Sequence, residues 1–240
     1  MKTINLATLV FAASGMLAIG VAVAAPVGEV AYIAGTLSAQ KPDGTVKILS
    51  RKSAIEVGDV LSTEKDSYVQ INFADNSQAT LRPNSRLKIE AYHFNQAEPE
   101  RDNLLFGLLK GGLRTLTGMI GKRGNQDAYR LSTKTATIGI RGSSGDTLEC
   151  SEGCAGVTDT SDKLAPGTYH ATYTGAYTLS NDHGSQLIGE GQFGYVQDAN
   201  TPPVILPTDP GMGTGEMPFG LGVRGSSAGG GAGSNECMMQ

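Results

Sequence analysis

Three sets of residues in this chain have types and spacings that could do chemistry. The stretch "TATIGIRGSSGD", Thr135 to Asp146, starts as an alternating strand and runs into glycines around Arg141. Within it, "GSSG" (Gly142 to Gly145) is one residue short of the G-x-S-x-G nucleophile elbow, and no helical pattern follows it. "GMIGKRG" contains Gly-Lys but lacks the first glycine of a phosphate loop and the Ser or Thr after the lysine. Glu98 and Glu100 pair two carboxylates, but they flank Pro99 in a polar loop. No calcium-loop spacing and no H-E-x-x-H occurs. No catalytic constellation forms, so the chain is not expected to be an enzyme, and it is expected to need no cofactor.

The second set is the cysteines. Cys150 and Cys154 stand four apart in "CSEGC". Half of a metal site would need two further ligands, and His93, His170 and His183 are dispersed. A small disulfide across a turn is the better reading, contributing about 2 kcal/mol in the chain-entropy model. Cys237 is left over, as a free thiol or an intermolecular partner.

The third set is charged and aromatic. Arg101 to Arg141 holds eight basic residues against two acids, in a chain whose formal net charge is −4. Such a segment either marks an anionic partner or scatters over several solvated faces on folding. Lys110, Arg114, Lys122 and Arg123 are the partner-binding candidates. Tyr169, Tyr173, Tyr177 and Tyr195 could line a glycan-binding face, but the chain has no Trp, and tyrosines alternating in strands more often pack. No nucleic-acid partner is expected.

The elements that must position these residues read as strands. "YVQINFA" (68–74) and "QATLR" (78–82) alternate on either side of Asp75-Asn76-Ser77, a hairpin with one buried and one wet face. "RLKIE" (86–90) turns Leu87 and Ile89 inward, and Asp43-Gly44 joins "TLSAQ" to "TVKIL" as a second hairpin. "TYHATYT", "AYTLS" and "QFGYVQ" continue the series. "LLFGLLKGGLRTLTGMIGK" (104–122) carries five glycines, each costing about 1 kcal/mol in a helix interior. It reads as strand, turn, strand, with room for a short helical turn.

Residues 1–24 read as a secretory signal peptide, cut after "AVA", so the product is expected in the periplasm. Residues 26–198 are expected to form one all-β domain, an antiparallel β-sandwich or β-roll. Residues 199–240, rich in Pro and Gly, are expected to be a disordered C-terminal tail.

The run "VGDVLSTEKDSYVQINFADNSQATLRPNSRLKI" resembles the FecR-domain family: a Gly-Asp, a Thr shortly after, an alternating strand, an Asp-x-Ser turn and an L-x-P-x-S-x-L run. Here these are Gly58, Asp59, Thr63, Asp75, Ser77, Leu81, Pro83, Ser85 and Leu87. "LLKGGLRTLTGMIGK" and "YRLSTKTATIGIRG" are also similar to that family, whose closing G-x-R-G-[ST] falls here on Arg141 and Gly142. The resemblance covers roughly Val27 to Gly142, and more loosely extends to Val196. Arg141 then either holds carbonyls or a carboxylate of the preceding strands, or meets a partner's acidic group. The best-known member regulates ferric-citrate transport from the inner membrane and uses a cytoplasmic region to handle a sigma factor. This sequence, with a signal peptide and no such region, resembles only the periplasmic part of that plan. The resemblance implies a module that senses or binds an envelope protein such as a receptor or membrane regulator. An envelope-structural or glycan-binding protein is the alternative.

Overall fold

The computed structural model describes residues 25–125, 127–213 and 217. The expected signal peptide, Cys237 and most of the last part of the chain lie outside the described residues. The strands, in chain order, are β1 (Pro26–Ala34), β2 (Leu37–Gln40), β3 (Val46–Leu49), β4 (Ala54–Glu56), β5 (Val60–Thr63), β6 (Tyr68–Phe73), β7 (Gln78–Leu81) and β8 (Arg86–His93). They continue as β9 (Asn103–Leu116), β10 (Tyr129–Ser132), β11 (Thr137–Glu149), β12 (Thr168–Asn181), β13 (Gly184–Gly189), β14 (Phe193–Val196) and β15 (Val204–Leu206). All belong to one sheet, antiparallel except for the parallel pairing of β9 with β10.

The expected hairpins β2–β3 and β6–β7 are present. They form because a period-2 pattern gives each strand a face to bury and Asp43-Gly44 or Asp75-Asn76-Ser77 supplies the reversal. β7 and β8 together run antiparallel along β9, with a turn at residues 82–85 between them. From β7 the sheet continues through β6 and β1 to β4; from β8 it continues through β5 and β2 to β3. The main core gathers fully buried residues of both branches, including Val30, Ile71 and Leu81 from the first and Leu37, Leu61 and Ile89 from the second. Phe106 ties it together, 5.2 Å from Phe73 and 5.8 Å from Tyr129 between ring centres.

The branches join at stacked corners. The Ser67 hydroxyl accepts from the Thr36 amide at 2.9 Å, and the Ser85 hydroxyl accepts from the Gly112 amide at 2.8 Å. Each serine lies against a left-handed glycine: a Cβ on Gly35 (φ +86°) would sit 2.3 Å from the Ser67 hydroxyl, and one on Gly111 (φ +85°) 2.3 Å from that of Ser85. The same device therefore appears at two levels. Thr63 completes it by donating to the Arg82 carbonyl at 2.6 Å and accepting from the Ser85 amide at 3.0 Å. We expect Gly111→Ala to cost about 3 kcal/mol, combining left-handed strain with a backbone clash. Gly44→Ala has a similar φ of +85° but open space around it; it should cost only about 1 kcal/mol. Urea midpoints of the two variants check this.

Three expectations are corrected. The Leu104–Lys122 stretch holds no reversal: β9 is one 14-residue strand that bends at Gly111, where the corner needs a glycine, and a 3-10 turn follows at Ile120–Lys122. The supposedly wet face of β7 is covered, with Thr80 3% and Arg82 4% exposed, because β11 and the loop after it pack there. Residues 199–213, expected in the tail, pack on the domain: β15 pairs with β14, and Met212 is buried in a second cluster with Leu148, Cys150, Cys154, Val157 and Tyr169. Apolar Val204–Leu206 gives the sheet one more strand despite the surrounding prolines.

Candidate functional site

The family-motif residues hold the frame. Gly58 and Asp59 form the corner before β5, where the Gly58 amide donates to the Ile89 carbonyl at 2.7 Å and the Ile89 amide to that of Asp59 at 3.0 Å. The buried Asp59 carboxylate accepts from the Glu56 amide at 3.0 Å and from the Lys41 ammonium at 2.9 Å. Asp75 is also fully buried. Its carboxylate accepts from the Ser77 hydroxyl at 2.5 Å, the Ser77 amide at 3.2 Å and the Ile120 amide at 3.2 Å. Its carbonyl accepts from the Met119 amide at 2.8 Å. Gly118 lies so close that a Cβ there would be 2.2 Å from the Ser77 nitrogen. Asp75 and Ser77 thus moor the turn that carries Lys122 and Arg123.

Thr117 fastens that turn to β11. Its hydroxyl donates to the Ser143 carbonyl at 2.6 Å and accepts from the Ser143 amide at 3.1 Å. β11 bends beside this clip at Gly142 (φ +59°). The result is a cleft of about 520 Å3 lined by Gly121, Lys122, Arg123, Gly124, Arg141 and Gly142. Four residues singled out in the sequence, Lys122, Arg123, Arg141 and Gly142, meet here. They play different parts. Arg123 is pinned: its guanidinium lies 3.1 Å from the buried Asp102 carboxylate, donates to the Asn95 and Gln96 carbonyls at 3.0 and 3.2 Å, and covers the Phe94 ring at 5.0 Å. Lys122 is exposed and forms no ion pair among the described residues. Arg141 is 53% exposed and lies 4.0 Å from Asp127, itself 76% exposed. Such a surface pair contributes little. Arg141 therefore does not clamp backbone carbonyls; Ile138 and Ile140 face the core, and Arg141, the next residue along the strand, faces water.

Two partner-binding candidates do not join the cleft. Lys110 stands opposite Arg86 in the β8–β9 ladder. Arg114 is only 6% exposed and is committed internally. It grips Asp146 through Nε at 2.6 Å and Nη2 at 2.8 Å, with its guanidinium 4.9 Å over the Tyr173 ring. Arg82 donates to the same carboxylate, and the Tyr173 hydroxyl donates to it at 2.7 Å. Burial alone would raise the Asp146 carboxyl, but the Arg82 and Arg114 guanidiniums outweigh it and hold the group down at about 2. Polar side chains at alternate positions of β7, β9 and β11 look solvent-facing in sequence, and only the stacking of those strands puts them inside.

Behind this network His170 is fully buried between β11 and β14, its ring 4.1 Å from that of Tyr177 and its Nδ1 3.0 Å from the Thr147 hydroxyl. Desolvation pushes it down to about 3, with Asp146 opposing that shift only in part. The candidate glycan face also closes. Tyr169 and Tyr177 are buried, and the hydroxyls of Tyr169, Tyr173 and Tyr195 donate to Ala165, Asp146 and Pro166. Cys150 and Cys154 form a disulfide at the base of the loop covering Arg82.

The fold is an all-β module whose cleft presents the exposed cations Lys122 and Arg141 to solvent. Residues 59–158 match the family model described as FecR protein, the family that Asp59, Asp75, Ser77 and the Arg141–Gly142 run resemble. Two crystal structures of a candidate anti-sigma factor from Parabacteroides distasonis ATCC 8503 are similar to part of the chain. Their TM-scores are 0.45 and 0.44, with 12% identity and 62% of this chain covered. The chain spans 60% of the length of those proteins. No curated protein matches the sequence.

Proposed function

We propose that this chain is an exported, non-catalytic FecR-like signalling module that captures an envelope protein, a receptor or membrane regulator, by seating acidic side chains of that partner in the Lys122–Arg141 cleft. One observation carries the reading: family-motif residues hold the cleft open from inside while its two exposed cations have no strong internal partner. Lys122 and Arg141 stand 19 residues apart in sequence, and no packing requirement explains why both line one opening. The Cys150–Cys154 disulfide agrees with an oxidising compartment such as the periplasm.

The paired substitution Lys122→Ala/Arg141→Ala is the appropriate test, because both side chains are exposed and the fold should tolerate it. Arg123 is a poor choice, since it braces Asp102 and two carbonyls. In-cell crosslinking followed by mass spectrometry should show capture of one envelope protein falling at least about tenfold in the double variant, equivalent to about 1.4 kcal/mol. Raising the salt should weaken capture as well. Capture that survives both changes would contradict the proposal.

A further inference from the structure

The sheet has two open ends. At the first, β3 pairs only with β2, and β4 only with β1, among the described residues. Between these free edges runs a groove of about 660 Å3 lined by Lys47, Ile48 and Leu49 of β3 and by Ala54 and Glu56 of β4. Lys47 stands opposite buried Ala39, a core-facing register, yet is itself exposed. β3 thus leaves its core-facing side open at Lys47, while Leu49 beyond it is buried. Val46 and Ile48 are 62% and 73% exposed.

At the second end, β15 pairs only with β14, and β13 only with β12. Leu187, Val204 and Ile205 are exposed there. Unpaired edges with exposed apolar side chains are templates for strand addition unless something covers them. Edge charge normally blunts such strands, and here the two ends carry opposite signs. The first carries Lys41, Lys47, Arg51 and Lys52 against Glu29, Asp43 and Glu56, a small net positive charge. The second carries Asp182, Glu190, Asp198 and Asp209, with no lysine or arginine from residue 164 to residue 213.

We infer that copies of this chain associate head to tail, the β3–β4 end of one seated on the β13–β15 end of the next. One molecule carries both halves of the match: free edges, exposed apolar residues and complementary charge. The contact is heterologous, so it leaves one free end at each side and can extend. It is independent of the Lys122–Arg141 cleft, and failure of either reading leaves the other standing.

Sedimentation velocity of the purified mature chain tests this. At low ionic strength and rising concentration the average mass should climb to at least about twice that of the monomer, and salt should reduce it. Ile48→Asp and Ile205→Asp each spoil one end at an exposed position, with circular dichroism confirming the fold. Each variant alone should stay monomeric. Their equimolar mixture should form dimers and nothing larger, because one sound end of each kind remains. A wild-type chain that stays monomeric at every concentration overturns the inference. So does either variant that still assembles alone, or a mixture that stays monomeric.

Discussion

Asp146→Ala should remove on the order of 4 kcal/mol of stability, a large share of the roughly 5–15 kcal/mol that a folded domain possesses. The mutation leaves the Arg82 and Arg114 guanidiniums, 4% and 6% exposed, without the carboxylate both of them grip. It also strips the Tyr173 hydroxyl of its acceptor. Unpaired buried charge is costlier than the pair was favourable, so the loss exceeds anything the ion pairs contribute net. Asp146→Asn keeps the shape and one acceptor oxygen and should fall between the variant and the parent. Replacing Arg82, Arg114 and Asp146 together by Met, Met and Leu should recover much of the loss, since an apolar cluster of similar volume needs no compensation. Guanidinium unfolding midpoints of the series give the comparison. A single-variant loss below about 1 kcal/mol would mean that water reaches the arginines.

Acid should destabilise the molecule well before its carboxylates titrate, and His170 is the cause. Its folded value of about 3 lies below the ordinary 6.5 because the ring is desolvated. Above pH 6.5 neither the folded nor the unfolded ring holds the extra proton, and His170 contributes nothing. Below it the unfolded chain binds a proton that the folded chain refuses, so stability falls by about 1.4 kcal/mol per pH unit down to pH 3. Asp146, depressed from 3.8 to about 2, adds a second loss between those two values as its folded charge is finally neutralised. His170→Leu should therefore flatten the stability profile between pH 6.5 and 4 while leaving the deeper acid loss in place. Stability measured by urea at half-unit steps decides it; parallel curves for parent and variant would contradict the assignment.

How much of this was legible in the sequence depends on whether an element obeys a local rule. β6 and β7 were readable because apolar Val69, Ile71 and Phe73 alternate with polar partners and a turn follows. β9 was not, because Gly111 and Gly112 look like a reversal when seen alone. Ser85, 26 residues away, leaves no room for a Cβ at Gly111, and Arg82, Leu148 and Val157 leave none at Gly112. Arg82 and Arg114 have the spacing of solvent-facing residues, and their burial requires Asp146 on a strand that arrives later in the chain. The cleft was half legible. The basic segment and the Arg141–Gly142 bend were visible separately, but nothing local states that Asp75 and Thr117 bring them together. β15 was missed because a strand of three residues among prolines has almost no pattern of its own.

The most direct measurement places a photo-crosslinking side chain at Lys122 and, separately, at Lys65. Lys65 is 82% exposed and lies beyond the end of β6 opposite to the Asp75 turn. Irradiation in cells should trap one envelope protein from position 122 and none from position 65, and Arg141→Ala should abolish the adduct at 122. An equal yield from both positions, or no adduct from 122, would contradict the account of the cleft as the partner's seat.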